Sequence, residues 1–398
     1  GRGRAAGALP PRFPSLKSVT VPPGTLLESA SDQAVPSLPV VGLTTDANPV
    51  IAFSVSFDIR LYSNNYSSMS DIILGFEACL DTLMERIAEG APGRIQMLCG
   101  PRQVGKTTLL LELAEKIGAA AEYAAADGPE ASAPGFWERI WAEAERKSAR
   151  YKRAVLFIDE IHLLPDWSSR LKGEWDRLKR KRIPVQVVVS GSSSLRLGRG
   201  SRESLSGRFE RLVLAHWSAS SLSRAFKLPP KKAAEIVVEE GSYPGAFGLR
   251  KDRSRWKAYI DNSIVEPAIG RDIMAMAEVR RPALLRQVFA LSASFPAQIV
   301  SLQKLQGQLR DAGALETIAN YLSLLEQAFL VVGLQKYSQR PDRRRSSPPK
   351  LVLLNNALLA ATDPRGLPSP NVEADRYGNW VENACLAHAL NRGQHVTY

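Results

Sequence analysis

The stretch from Arg94 to Leu110 contains a complete G-x-x-x-x-G-K-[ST] sequence, which runs from Gly100 to Thr107 between an apolar segment and a helix-forming one. A loop that wraps a polyphosphate turns its backbone N–H groups inward, and Gly100 and Gly105 permit the positive φ angles and the close approach that this requires. Because the pattern follows a predicted strand and opens a predicted helix, it indicates a nucleoside-triphosphate site rather than a chance Gly-Lys turn.

The sequence of the phosphate loop predicts different roles for its residues. The ammonium of Lys106 can reach the β- and γ-phosphates, and the hydroxyl of Thr107 suits Mg²⁺, with Thr108 as a second candidate for the same pocket. The partial positive charge at the start of the following helix adds to the attraction. The residues predicted to contact the nucleotide here are Gly100, Pro101, Arg102, Gln103, Val104, Gly105, Lys106, Thr107 and Thr108.

A second segment predicts the rest of a hydrolysis site. Residues 154–158 form a short apolar run typical of a buried parallel strand, and the run ends in Asp159 and Glu160. In this Walker B pattern Asp159 would hold Mg²⁺ directly or through water, while Glu160 would orient and deprotonate the attacking water. The alternative is that both carboxylates cap the helix that begins near His162.

Two further segments supply candidates for the terminal phosphate. A third predicted strand ends in a Ser-rich stretch, where Ser190 or Ser192 could sense the γ-phosphate, although a plain Ser-rich turn explains the same residues. Arg208 could supply positive charge to a transition state, within its own chain or in a neighbouring subunit. It could equally pair with Glu203 or Glu210 on a solvated face, and spacing does not decide between these alternatives.

The composition is that of a folded protein with an excess of positive charge. The chain has 398 residues, of which 44% are hydrophobic, so it can form two or three domains with substantial cores. Its three cysteines and four histidines show no metal-binding spacing, which argues against disulfides and zinc and fits a reducing cytoplasm. No apolar run approaches the ~20 residues that a bilayer requires. The formal net charge of +12 favours a polyanionic partner.

The order of the patterns predicts the architecture. Residues 1–68 are rich in Pro, Ser, Gly and Val and are expected to be a disordered leader, with a native start at Met69 before an amphipathic helix at 71–89. Strand and helix patterns then alternate as far as Leu214, which predicts a parallel sheet covered by helices on both faces. From His216 onward the pattern is helical and predicts a small lid.

Residues 282–334 have the order of a winged helix-turn-helix, with helices at 283–292, 301–311 and 316–327 and a strand at 329–334. Such a unit binds DNA or docks a protein, and nothing in its third helix specifies bases, so both partners stay open. The basic stretch at 336–350 is either a solvated loop or a nucleic-acid contact.

The second half adds further segments, namely Gly241-Ser-Tyr-Pro-Gly245, Glu266-Pro-Ala-Ile-Gly-Arg-Asp-Ile273 and Pro282-Ala-Leu-Leu-Arg286. Together with the phosphate loop and Phe157-Ile-Asp-Glu-Ile-His-Leu-Leu-Pro-Asp-Trp167, they resemble the prokaryotic AAA+ ATPases that carry a C-terminal domain of unknown function. The resemblance runs from about residue 69 to the end of the chain.

The resemblance implies an α/β fold, a P-loop NTPase (AAA+) parallel sheet with a helical lid, then a winged-helix unit and a partial restriction-endonuclease-like α/β domain. The implied boundaries are 1–68 for the leader, 69–215 for the ATPase core, 216–280 for the lid, 281–340 for the winged helix and 341–398 for the nuclease-like part. The implied catalytic residues are Glu160, Lys106 and Arg208, the implied Mg²⁺ ligands are Thr107 and Asp159, and the implied sensor is Ser190 or Ser192.

In that family the nuclease-like domain continues to an Asp and a Glu-x-Lys set, and only its first acidic residue has a match here, Glu382. Metal-dependent phosphodiester cleavage needs the complete set. We therefore expect either a fragment or a scaffold domain, and nuclease activity is not predicted.

Two functions are compatible with these patterns. The first is a Mg²⁺-dependent ATPase whose hydrolysis of ATP moves a C-terminal unit that binds DNA or protein. The second is a nucleotide-gated DNA- or protein-binding module with negligible turnover. Neither requires the chain to form an oligomer.

Overall fold

The computed structural model describes residues 72–192, 205–274, 277–310, 313–338 and 347–398. The predicted leader at 1–68 lies outside the described residues, and so does the middle of the basic stretch at 336–350. Glu203, one of the two glutamates considered as partners of Arg208, is also outside them.

The first half is built on a six-stranded sheet in the order β1-β6-β2-β5-β4-β3, and every neighbouring pair is parallel. This confirms the predicted α/β architecture with a parallel sheet. The strands are β1 Ile72–Leu74, β2 Ile95–Cys99, β3 Ala121–Ala125, β4 Ala154–Asp159, β5 Val185–Ser190 and β6 Phe209–Leu214.

Helices cover both faces of this sheet, because alternate residues of its central strands point to opposite sides and nearly all are apolar. Along β2, Ile95 and Met97 pack in one core with two helices, while Leu98 packs in a second core with two others. The first pair consists of α3 Phe136–Tyr151 and α4 Trp167–Lys181, and the second of α1 Phe76–Ala88 and α2 Lys106–Ile117.

The predicted helix at 71–89 is wrong at its start. Residues Ile72–Leu74 form the edge strand β1, and the helix begins only at Phe76. The strand is defined by its parallel pairing with β6, in which the N–H of Ala215 also donates to the carbonyl of Leu74 at 2.9 Å. Three residues are too few to show a period, so only the partner strand distinguishes the two structures.

The second half is helical after β6, as its sequence pattern indicates, and it also contains a three-stranded antiparallel sheet in the order β7-β9-β8. The helices after β6 are α5 Ala219–Phe226, α6 Pro230–Glu239 and α7 Arg253–Ile260, followed by two π-helical turns, Asp261–Val265 and Ala268–Ile273. The remaining elements are α8 Pro282–Ala293, β7 Gln298–Ile299, α9 Leu302–Gln308, α10 Leu315–Gln327, β8 Val331–Leu334, β9 Lys350–Leu353, α11 Asn356–Thr362 and α12 Ala374–Asn391.

One hydrophobic core extends through this second half, from Tyr243 to Trp380. It crosses the predicted domain boundaries at 280 and 340, which stay predictions. No described helix is both long and apolar enough to cross a membrane.

Asn355 fastens the end of the sheet to the second half. Its Oδ1 accepts hydrogen bonds from the backbone N–H groups of Ser242 and Ala357, each at 3.1 Å. Its Nδ2 donates to the Ser242 hydroxyl at 3.1 Å and to Nδ1 of His216, two residues beyond β6, at 3.2 Å. These four bonds form a buried polar junction, and we call it the Asn355 junction.

Gly241 is required at this junction. Its φ is +75°, and a Cβ at this position would lie 2.2 Å from the backbone nitrogen of Ala357. We expect Gly241→Ala to lower the free energy of unfolding by roughly 3 kcal/mol or more, because left-handed strain and overpacking add. Gly366 has a φ of +72° with nothing within 4 Å, so Gly366→Ala should cost only about 1–2 kcal/mol. Urea denaturation would measure both, and equal losses would contradict the steric argument.

His216 should make stability depend on pH. Burial lowers its pKa to about 4, from about 6.5 in the unfolded chain. The unfolded state therefore takes up the proton first, so stability is lost as pH falls from about 6.5 to about 4, by roughly 3 kcal/mol in total. Urea midpoints at pH 7 and pH 4.5 should differ more for the wild type than for His216→Gln. The same pH dependence in both proteins would contradict this role for His216.

Candidate active site

The carboxyl ends of β2, β4 and β5 meet at one edge of the sheet. Leu98 of β2 pairs with Ser190 of β5, and Ile158 of β4 pairs with Val189 of β5. The phosphate loop follows β2 directly and Glu160 follows β4. The parallel register therefore brings together groups that are far apart in the sequence, at the edge where ligands of such sheets bind.

Two glycines shape the phosphate loop. Gly100 has a φ of +153°, and a Cβ there would lie 2.4 Å from the carbonyl oxygen of Leu214 in β6. Gly105 has a φ of +100° and starts α2. Between them Val104 is buried, and its carbonyl accepts a hydrogen bond from the indole N–H of Trp217 at 2.9 Å. Both glycines therefore hold the backbone where a larger residue would be strained or would clash.

Lys106 lies inside the loop, with 6% of its surface exposed. Its Nζ donates to the carbonyl oxygens of Gly100 at 3.2 Å and Pro101 at 2.8 Å. Burial lowers the pKa of this ammonium, while the charges of Glu160 and Asp159 act in the opposite direction. A buried cation thus sits at the first turn of α2, where Thr107 and Thr108 are exposed.

Asp159 is buried, with 2% of its surface exposed, and three donors orient it. Its Oδ2 accepts from the Tyr123 hydroxyl at 3.0 Å. Its Oδ1 accepts from the Ser190 hydroxyl and from the Glu160 N–H, the latter at 3.1 Å. Ser190 is therefore bonded to the predicted metal ligand, and Ser192 is buried two residues further on.

Glu160 adopts a backbone conformation that is rare for residues other than glycine, with a φ of +50°. Burial raises the pKa of its carboxyl group, against the nearby charge of Lys106. Its Oε2 lies 3.3 Å from Nδ1 of His162. Burial lowers the pKa of His162 to about 4, so its imidazole is neutral near pH 7.

The second half contributes to the loop as well. The guanidinium of Arg102 makes two hydrogen bonds to Asp272, from Nε to Oδ2 at 2.8 Å and from Nη2 to Oδ1 at 2.5 Å. The neighbouring Gln103 accepts a hydrogen bond from the Tyr259 hydroxyl at 3.1 Å. Two consecutive loop residues are thus held by side chains more than 150 positions along the chain.

Arg208 lies at the opposite edge of the sheet. Its carbonyl accepts from the N–H of Ile95, the first residue of β2, whereas the loop follows the last one. The length of β2 separates the two, about 16 Å. Its guanidinium bonds to Asp176 of α4 at 2.9 Å and not to Glu210, which pairs with Arg94. This corrects the expectation that Arg208 could act at the phosphate loop of its own chain, because parallel strands place it at their amino ends.

Three residues of the site were not singled out from the sequence, namely Tyr123, Tyr259 and Asp272. Tyr123 lies in the middle of the predicted strand beside β4. A residue with a hydroxyl group in that strand could have been recognised from the sequence as a candidate for the site. Asp272 stands in the segment that contributes to the family resemblance, but its partner is 170 positions away. Glu382, considered for the nuclease-like part, forms an ion pair with Lys350.

Comparison with known proteins identifies two regions of the chain. Residues 92–222 match the model of the AAA domain, and residues 233–370 match that of a domain of unknown function, DUF8612. The chain thus carries an AAA-type P-loop ATPase domain, which supports ATP binding, and this is followed by a domain whose role is not defined. The winged-helix and nuclease-like assignments stay predictions.

Sequence relatives are distant. An uncharacterized protein of Haemophilus influenzae is 24% identical over 318 residues, which cover 76% of each chain. The uncharacterized protein Rv2008c of Mycobacterium tuberculosis is 26% identical over 279 residues, which are 69% of this chain and 57% of that protein. The chain therefore spans little more than half the length of the mycobacterial relative.

Two solved structures illustrate the similarity to known folds. A RuvB variant of Thermotoga maritima is 19% identical, covers 65% of this chain and 87% of its own, and has a TM-score of 0.35. The Aeropyrum pernix ORC1 protein in complex with DNA is 17% identical, covers 75% of this chain and 93% of its own, and has a TM-score of 0.27.

Proposed function

We propose that this protein is a cytoplasmic, Mg²⁺-dependent AAA+ ATPase in which hydrolysis of ATP moves the second half of the chain relative to the sheet. The observation that carries the proposal is the convergence of a buried lysine and two carboxylates, Lys106, Asp159 and Glu160, at the carboxyl edge of a parallel sheet. Burying a charged group costs free energy, so a cluster of buried charged groups indicates a functional site.

The phosphate loop binds the triphosphate in this proposal. The Nζ of Lys106 exchanges the carbonyl oxygens of Gly100 and Pro101 for phosphate oxygens, which are stronger acceptors because they are charged. The N-terminus of α2 points its free N–H groups at the same position. Binding therefore needs only a small displacement of a side chain that is already in place.

The oxygen donors of Thr107 and Asp159 fit a Mg²⁺ ion, since this hard cation prefers carboxylate and hydroxyl ligands. When bound, the ion supplies positive charge to the phosphates. The hydroxyls of Tyr123 and Ser190 hold the Asp159 carboxylate in one orientation, so that it does not have to be ordered when the nucleotide arrives.

Glu160 takes the proton of the attacking water. Its pKa is raised by burial, which makes this carboxylate a stronger base than an exposed glutamate. With its positive φ, Glu160 donates its backbone N–H to Oδ1 of Asp159 at 3.1 Å and to Oγ of Ser190 at 3.2 Å. These bonds fix the proposed base relative to the proposed metal ligand Asp159.

Substitutions at Lys106 and Glu160 should separate binding from turnover. We expect Lys106→Ala to weaken ATP binding by more than about tenfold, because a charge-assisted contact is lost. We expect Glu160→Gln to bind ATP with nearly wild-type affinity and to lower the turnover rate by about 10²–10⁴-fold. Calorimetric titration and phosphate release measure the two quantities.

The matched control is Lys116→Ala, an exposed position on the same helix α2 that pairs with Glu112 and should change neither quantity. Phosphate release unaffected by Glu160→Gln would remove the assigned base. ATP binding unaffected by Lys106→Ala would remove the phosphate loop from the mechanism.

A nucleotide-gated binding module is the second candidate, and the arrangement of residues 282–353 favours it. Helix α8, strand β7, helices α9 and α10 and strands β8 and β9 follow the order of a winged helix. In such units the third helix, here α10, enters the DNA groove. Helix α10 contains no lysine or arginine, and its exposed positions include Glu316 and Asn320. Without cations it gains little from DNA phosphates, which favours a protein partner for this helix.

A titration with duplex DNA at several salt concentrations tests this point. We expect any binding to fall steeply with salt, since it would depend on lysines and arginines outside α10. The double substitution of Asn320→Ala and Ser323→Ala should then change the affinity by less than about twofold, because no base contact is lost. A larger loss at unchanged salt dependence would show that α10 contacts bases.

A further inference from the structure

Arg102 and Asp272 form a partly buried ion pair between the phosphate loop and the second half of the chain. The carboxylate is 2% exposed, and the two groups share two parallel hydrogen bonds, at 2.8 and 2.5 Å. Removing two charges from water is costly, and good geometry only partly offsets the cost. The ion pair therefore persists only as long as no other anion competes for the guanidinium of Arg102.

Asp272 stands on an unusual piece of backbone. It belongs to the π-helical turn Ala268–Ile273, which follows a first π-helical turn, Asp261–Val265. Such turns are uncommon and occur frequently at functional sites. Tyr259, just before them, bonds to Gln103, and its hydroxyl lies so close to Gly245 that a Cβ there would be 2.2 Å away. The segment from Tyr259 to Asp272 is therefore hydrogen-bonded to the phosphate loop at both of its ends.

Arg102 lies in the phosphate loop itself, four residues before Lys106, the predicted ligand of the β- and γ-phosphates. Burial lowers the pKa of Arg102, but the hydrogen bonds and charge of Asp272, with a smaller contribution from Glu160, raise it overall. Burial raises the pKa of Glu160, while Lys106 and, less strongly, Arg102 lower it. Arg102 and Lys106 also affect each other as like charges. A guanidinium binds carboxylate and phosphate with the same two-pronged geometry, so a phosphate can replace Asp272 without a new side chain being required.

We propose that the Arg102–Asp272 pair is a nucleotide-sensitive latch: the terminal phosphate of a bound nucleoside triphosphate takes Arg102 from Asp272 and frees residues 259–273 from the phosphate loop. Asp272 is a positioning residue in this scheme, because it acts on the nucleotide through Arg102. The proposal rests on the proposed function in one respect, since the loop must bind a triphosphate.

The latch distinguishes two nucleotide states. A diphosphate lacks the phosphate that reaches Arg102, so the Arg102–Asp272 pair persists with ADP. A triphosphate breaks it and leaves the Asp272 carboxylate without its partner, which costs binding energy. Release of the second half is thus coupled to the presence of the group that hydrolysis removes.

Hydrogen exchange on the whole chain tests the latch. The wild-type protein with Mg²⁺ is compared without nucleotide, with ADP and with a non-hydrolysable ATP analogue, while binding of each is measured separately. We expect amides within 259–273 to exchange at least about tenfold faster with the triphosphate analogue than with ADP, because their contacts to the loop are lost.

A pair of substitutions in the same segment gives the second measurement. Asp272→Asn should show fast exchange even without nucleotide and should bind the triphosphate analogue about tenfold more tightly than the wild type does, while its affinity for ADP stays unchanged. Glu266→Gln is the matched control, because this exposed carboxylate of the same segment pairs with Arg286 and not with the loop. It should behave as the wild type.

The outcomes separate the latch from the proposed function. A wild-type protein that binds the triphosphate analogue, yet exchanges 259–273 at the same rate as with ADP, overturns the latch and leaves the ATPase proposal standing. A protein that binds neither nucleotide overturns both. If Asp272→Asn exchanges its amides and binds both nucleotides as the wild type does, the latch is also overturned. If that variant does not fold, the hydrogen-exchange comparison on the wild-type protein decides.

Discussion

The parallel pairing of β2 with β5 and of β5 with β4 is the constraint on which the rest of the site depends. It alone puts the phosphate loop beside Asp159 and Ser190, which come from strands separated by whole helices. A shift of register by one residue would turn the side chains at these strand ends to the other face of the sheet. The burial of apolar residues on both faces of the sheet therefore also determines where the charged groups meet.

Charge balance explains why the second half takes part in the site. The cations Lys106 and Arg102 lie among three carboxylates, those of Asp159, Glu160 and Asp272. Among these five groups the described ion pair is that of Arg102 with Asp272, whereas Lys106 donates to carbonyl oxygens and Asp159 accepts from hydroxyls. In the mechanism that we propose, a triphosphate brings several negative charges into the same space and competes with Asp272 for Arg102. The pair contributed from outside the sheet can separate without disturbing the strands.

The strands and the helix that flank the predicted site residues could be predicted from the sequence, because their signals are local. The phosphate loop and the run that ends in Asp159 are each contained in one strand and the residues after it, and the parallel sheet follows from their alternation with helices. Contacts between residues far apart in the sequence could not be predicted from such local signals. The edge strand β1 is defined only by β6, and Asp272 becomes part of the site only through a partner 170 positions away. The roles given to the loop residues, and the winged-helix and nuclease-like assignments, stay predictions.

The Asn355 junction limits the kind of motion that the molecule can make. Asn355 is joined to His216, just beyond β6, and the other ring nitrogen of His216 lies 3.4 Å from the carbonyl oxygen of Phe329. The four bonds of the junction include no residue of the phosphate loop, although Trp217, next to His216, donates to the loop carbonyl of Val104. In the mechanism that we propose, a displacement that starts at Arg102 would leave these four bonds intact. The second half would then turn about Asn355, and the elements farthest from that residue would move most.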